Sequence, residues 1–192
     1  MGHDEFNPGV GSTRFAPFEA VDSGGAVPTM YLASSEAAAL LEVVFHEVHH
    51  RSSRYVYERD LRKRALAYLL VPRDLWLADL RDPELDRHGI RREQVVSSPA
   101  EHYPCTRRLA RQLHAREIDG CRVDGMLWNS RQAELLDGPE VEVCVVFGDG
   151  LDSGRGSWAL TGPGVRNLFE GPGRLLVDAV AAELDAVVLS AP

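Results

Sequence analysis

Cysteine is scarce and unpatterned in this chain: Cys105, Cys121 and Cys144 form no CxxC pair and no metal-ligand spacing. An odd count is a poor disulfide framework, so the thiols read as free side chains in a reducing compartment. Long apolar runs are missing too. No segment reaches the roughly 20 apolar residues that cross a bilayer, and the Gly-, Pro- and acid-containing N-terminal stretch has no signal-peptide character. The expectation is a cytoplasmic protein with no membrane partner. Positive charge is in deficit: 21 Lys and Arg stand against 29 Asp and Glu, for a formal net charge of −8. That balance argues against direct, non-specific association with nucleic acid or anionic lipid. No GxGxxG opens a helix after a strand, which disfavours a doubly wound dinucleotide fold. There is no internal repeat, and no linker precedes Gly148.

What is present is ordinary globular material. The 192 residues are 44% hydrophobic and 26% charged, enough for one well-buried core. Met1 to Ala26 is rich in Gly, Pro, Ser and Asp and reads as extended loop, with turns at Asn7-Pro8-Gly9 and Ser23-Gly24-Gly25. A short strand is expected over Val27–Ala33, followed by a helix that ends near His50. Arg51 to Arg64 carries six cations against two acids, either a solvated face or an anion site, on a segment that is extended and then helical. Leu69–Leu80 reads as one strand or a pair of short ones, and Pro83–His88 as a helical turn. Glu101–Arg116 is an amphipathic helix with Leu109, Ala110 and Leu113 as its core face. Val123–Trp128 is a strand, and Val141–Phe147 is apolar enough to lie at the centre of a sheet. Gly148–Gly173 reads as loop, with a last helix over Leu175–Leu184. Short strands interspersed with helices give an α+β fold, a compact single domain with a mixed or antiparallel sheet.

The stretch that needs most explanation is Pro28–His50. Ser34 and Ser35 supply hydroxyls to cap a helix, and Glu36 suits the positive end of its dipole. Ala37, Leu41, Val44 and Val48 form one apolar stripe. Glu42 lies at the edge of that stripe, where a carboxylate is costly to desolvate unless a cation or a hydrogen-bond donor meets it. The same stretch contains His46-Glu47-Val48-His49-His50, which satisfies HExxH. That pattern places two histidines one turn apart for zinc, with a glutamate to activate water. Against it stand Arg51 directly after the second histidine and the lack of a third ligand in a good context.

Four segments in order carry a different reading. FNP…GSTRF-P supplies Arg14, PTMYLASS supplies Tyr31, AALLEVVFH supplies Glu42, and DGMLWNSRQ supplies Ser130 at the end of a strand. Together they resemble the RES-domain family, named for an arginine, a glutamate and a serine, from about Phe6 to Phe147. Arg51–Arg64 and the tail from Gly148 have no counterpart in that pattern. The resemblance divides the chain into a catalytic domain over 1–148 and, over 149–192, a C-terminal loop and helix packed on it. It implies a fold similar to ADP-ribosyltransferase toxins and an enzyme that degrades NAD+ at the nicotinamide–ribose bond. Inorganic phosphate or water serves as acceptor in such enzymes, with no metal or resident cofactor. Many family members are toxins silenced by an Xre-like antitoxin partner that blocks the active-site cleft.

The residue types suit that chemistry. Loss of nicotinamide leaves an oxocarbenium-like ribose, which a partly desolvated Glu42 carboxylate can stabilise. Tyr31 can stack on nicotinamide, Arg14 can fork onto the diphosphate, and Ser130 can position the ribose or the attacking phosphate. Each also has a plain structural alternative: a surface arginine, a core tyrosine, a glutamate paired with a cation, a serine capping a turn. Two other function classes stay open, a non-catalytic nucleotide-binding protein on the same fold and the zinc metalloprotease. The assembly state is open as well, a homo-oligomer included.

Overall fold

The computed structural model describes residues 4–46, 48, 54–62, 64–131, 141–151 and 156–190. In chain order the elements are β1 (Thr29–Ala33), α1 (Glu36–Val43), β2 (Tyr55–Tyr57), α2 (Glu58–Leu61), β3 (Leu69–Leu70), β4 (Leu77–Asp79), α3 (Asp82–Arg87) and α4 (Tyr103–His114). They continue with β5 (Glu117–Ile118), β6 (Cys121–Arg122), β7 (Gly125–Asn129), β8 (Glu142–Phe147), β9 (Ala159–Leu160), α5 (Gly171–Glu183) and β10 (Val187–Leu189). The fold is α+β, and the chain forms two compact units, each assembled from three separate segments. The first comprises Met1–Leu32, Val71–Asn129 and Val143–Trp158, the second Ala33–Leu70, Ser130–Glu142 and Ala159–Pro192. No helix among the described residues is long and apolar enough to cross a membrane.

The first unit is built on a four-stranded sheet in the order β1-β8-β7-β4. β8 lies inside it, as its apolar sequence predicts. Bonds at the two ends of β8, Ser34 N–H to the Glu142 carbonyl and Gly148 N–H to the Pro28 carbonyl, set it antiparallel to β1. β4 runs parallel to β7, with Leu77 opposite Gly125, so the sheet is mixed. Gly125 is required at that point: a Cβ there would sit 2.2 Å from the Val145 carbonyl oxygen. The N-terminal stretch is irregular, as its composition predicts, yet it supplies core. Phe6, Phe15 and Phe18 are buried, and each meets another aromatic edge-on: Trp158, Trp128 and Phe147 in turn. Such pairs contribute about 0.5–1.5 kcal/mol each beyond the area they bury.

α4 presents a different face from the one its leucines predict. Thr106, Ala110 and His114 are the buried positions, while Leu109 and Leu113 are half-exposed. The two polar residues are tolerated because they have partners. Thr106 Oγ1 donates to the carbonyls of Arg14 and Tyr103. The His114 ring lies edge-on to Phe18 and Phe147, with Nε2 2.8 Å from the Asp149 carboxylate.

The second unit holds one apolar cluster that includes Leu40, Leu41 and Phe45 next to Val56, Leu61, Val177 and Leu184, with α1 packed on α5. α1 starts where predicted: the Ser35 hydroxyl accepts from Ala38 N–H, a cap worth about 1 kcal/mol. Its end differs. The helix stops at Val43 rather than near His50, because Phe45 N–H turns back to the Leu40 carbonyl and Phe45 and Val48 drop into the core. Of the predicted stripe, Leu41 and Val48 are buried and Ala37 and Val44 partly so. Segment 54–61 is extended and then helical, as expected.

The cations of that basic run are used internally. Arg54 Nη1 donates to the Leu184 carbonyl, Arg64 Nε to the Asp60 carbonyl, and Arg59 and Arg62 lie over the rings of Tyr57 and Phe169. Arg51 and Lys63 lie outside the described residues. The Gly148–Gly173 stretch is more than loop: Trp158 is fully buried, and β9 pairs antiparallel with β3. β10, which the sequence did not announce, pairs in parallel with β2.

One ion pair ties the start of β7 to the chain ahead of β4. Both Asp124 oxygens accept from Arg73, at 2.7 and 2.8 Å, and Trp76 N–H adds a third bond at 2.9 Å. Burial alone pushes the Asp124 pKa up, but the Arg73 guanidinium and the Trp76 N–H outweigh it and hold the carboxyl below its ordinary value. A carboxylate with a depressed folded-state pKa adds stability above the ordinary aspartate pKa and loses it as the pH falls through the folded value. Arg73 is nearly half exposed, which screens the pair. Asp124→Asn is expected to cost about 2 kcal/mol at pH 7. The gap in melting temperature between the two proteins should close as the pH falls below about 4; a gap that stays constant down to pH 2 would refute the ionic account.

Candidate active site

Two of the four candidate residues belong to each unit. Arg14 and Tyr31 lie in the first, Glu42 and Ser130 in the second; Ser130 is hydrogen-bonded to Glu42 directly, whereas Tyr31 bonds the two neighbours of Arg14, Thr13 and Phe15.

Arg14 sits on the loop Ser12–Phe15, which belongs to no strand and is held from outside. Tyr31, near the middle of β1, supplies one anchor. Its hydroxyl lies 2.8 Å from Thr13 Oγ1 and accepts from Phe15 N–H at 3.2 Å, so it grips the loop on both sides of Arg14. α4 supplies the other. Thr106 Oγ1 donates to the Arg14 carbonyl, and Arg107 donates through Nε to the Thr13 carbonyl at 2.9 Å and through Nη2 to Ser12 Oγ. The Phe15 side chain, with no exposed surface, plugs the loop into the core.

The guanidinium of Arg14 is then placed but not neutralised. Nη2 donates to the Ser98 carbonyl at 3.3 Å, and the group lies 5.6 Å from the centre of the Tyr103 ring. Nε is buried with no hydrogen-bond partner among the described residues, and no carboxylate among them pairs with Arg14. A buried cationic N–H without an acceptor is costly. An arginine left in that state beside aromatic surface has donors available to an incoming anion. Tyr31 keeps part of its ring accessible, 39% exposed, with its edge toward Trp128.

Glu42 meets the requirement read from its place on the helix. It is half-buried near the end of α1, and the Ser130 hydroxyl donates to its Oε1 at 2.7 Å. Ser130 is itself 1% exposed, and its N–H donates to the Val141 carbonyl just past the end of β7. The serine therefore acts on Glu42 rather than presenting a free hydroxyl to solvent. A hydrogen bond from a buried donor fixes the carboxylate rotamer and leaves the second oxygen to act elsewhere.

Sequence reasoning missed the supports of this site: Ser98, Tyr103, Thr106 and Arg107. Only the tertiary fold brings α4 to the Arg14 loop, and nothing in the local spacing of YPCTRR marks a loop anchor. Of the HExxH motif, His46 is exposed in a turn and Val48 is buried, whereas Glu47, His49 and His50 lie outside the described residues. Among the described residues no group of three or more His, Cys, Asp or Glu side chains is arranged to hold a metal ion.

No curated protein and no solved structure matches the chain significantly. One family model does, that of the RES domain, over residues 3–153. The match spans most of the chain and takes in the Arg14 loop, Tyr31 on β1, Glu42 on α1 and Ser130 after β7. The chain belongs to the RES-domain family.

Proposed function

We propose that the protein is an NAD+-degrading enzyme that breaks the bond between nicotinamide and ribose. The observation that carries this reading is the Ser130–Glu42 hydrogen bond, which holds a half-buried carboxylate in one rotamer on a chain of the RES family. In the reaction the C1′–N bond breaks and its electron pair leaves with neutral nicotinamide. Positive charge then develops on the ribose, and a fixed carboxylate stabilises it more strongly than a solvated one does. The acceptor, inorganic phosphate or water, forms the new bond at C1′ and gives up a proton. Arg14, whose charge no carboxylate offsets among the described residues, suits the diphosphate. The accessible part of the Tyr31 ring suits the flat nicotinamide. The same reading makes the protein the toxin of a pair, silenced by an Xre-like partner that covers the catalytic residues.

Purified protein incubated with NAD+, with and without phosphate, is expected to release nicotinamide, and the phosphate dependence separates phosphorolysis from hydrolysis. No release under either condition, from protein free of any co-purified inhibitor, would refute the proposal. Glu42→Gln should stay folded and lose about 100-fold or more in turnover, the scale on which a group aimed at developing charge contributes.

Ser130→Ala removes only the group that orients Glu42 and strands one acceptor, at about 1–2 kcal/mol, so turnover should fall roughly tenfold. Tyr31→Phe keeps the ring and removes the grip on Thr13 and Phe15. KM for NAD+ should rise about fivefold with kcat changed less, because the loosened loop carries the anion-binding arginine. A Tyr31→Phe protein with unchanged KM would show that the hydroxyl does not position Arg14.

A further inference from the structure

A groove of about 480 Å³ runs along α4, lined only by residues of the first unit. Three arginines line it, Arg107, Arg108 and Arg111, together with Phe18, Pro104 and Glu19. We propose that this groove binds a nucleoside phosphate, its phosphates held by the three arginines and its base laid along the apolar wall.

The charge pattern is the first argument. Several arginines elsewhere in this acidic chain are paired with carboxylates: Arg73 with Asp124, Arg81 with Asp79, Arg87 with Glu84, Arg122 with Asp22. The Arg108 and Arg111 side chains are exposed and have no hydrogen-bond or ion-pair partner among the described residues. Arg107 and Arg111 stand at i,i+4 and Arg108 and Arg111 at i,i+3, like-charge contacts that weaken a helix. A phosphate relieves that repulsion, and arginine pairs grip it by paired N–H donors.

Rigidity and size are the second. Arg107 is already held through Nε by the Thr13 carbonyl and through Nη2 by Ser12 Oγ, so one of the three cations is ordered before a ligand arrives. That lowers the entropy lost on binding. The volume falls within the range of small-molecule sites, and Glu19 offers an acceptor to a ribose hydroxyl or a base N–H. None of this rests on the NAD+ reading.

The test uses the full chain and ADP as probe, followed by calorimetry and by NMR of the arginine Nε–Hε resonances. ADP should bind, shift the Arg108 and Arg111 resonances, and bind at least tenfold more weakly to the double variant Arg108→Glu, Arg111→Glu. That variant should keep the wild-type melting temperature and basal nicotinamide release, since both side chains are exposed and neither has a hydrogen-bond or ion-pair partner among the described residues. Absence of ADP binding, or binding that the double substitution and the two resonances do not sense, would overturn the proposal. So would equal affinity for tripolyphosphate, which has no base, or binding of polyglutamate in place of ADP. Nicotinamide release is scored separately, so a protein that fails to cleave NAD+ yet binds ADP at Arg108 and Arg111 supports the groove and sinks only the enzymatic reading.

Discussion

The loop from Ser12 to Phe15 lies outside every strand ladder, and beyond the local bonds of Thr13 to the Ala16 carbonyl the placement of Arg14 depends on groups that reach it from elsewhere. A segment of this kind would sample many conformations if left to its own backbone. Here a tyrosine hydroxyl fixes it on both sides, a threonine and an arginine of α4 hold its carbonyls, and a buried phenylalanine plugs it into the core. Arg14 is thus held in place without being part of a regular element. Its own charge is left unneutralised by any carboxylate among the described residues, and its buried Nε has no hydrogen-bond partner among them.

Glu42 follows the same logic with opposite sign. The helix delivers it to the margin of an apolar cluster, where its second turn is already committed to the core through Leu40 and Leu41. A serine at the end of β7 then restricts the carboxylate to one orientation. In each unit a charged group is presented by one element and disciplined by a neutral hydroxyl from another: Tyr31 acting on the Arg14 loop, Ser130 acting on Glu42. Neutral donors and acceptors of this kind fix geometry without cancelling the charge that the chemistry requires.

Much of this was legible in the residues themselves. The Ser35 cap, the central place of β8 and the need of Glu42 for a partner all follow from local patterns whose physics does not depend on the rest of the chain. The failures share a cause. α1 ends early because Phe45 and Val48 find a better place in the core than helix continuation offers, and no Gly or Pro announces it. The buried face of α4 is misread from its leucines because Thr106 and His114 are buried by virtue of distant partners, the Arg14 carbonyl and Asp149. β9 and β10 are too short to carry a period and exist as ladders to strands far away in sequence. Hydrophobic pattern reports what a segment prefers; these positions are decided by what meets them.

The way β10 pairs with β2 bears on how the protein comes into being. Arg54 reaches a carbonyl 130 residues further along the chain, and the strand beside it takes its register from Val187–Leu189. Contacts this remote in sequence form slowly, since the intervening loop must close before they return any stabilisation. The second unit, which carries Glu42 and Ser130, has its last ladder only once residue 189 has been made. On a ribosome adding residues one by one, the carboxylate and its serine are therefore synthesised well before the fold that holds them is complete. The order of synthesis itself delays the moment at which the Ser130–Glu42 hydrogen bond gains its full support.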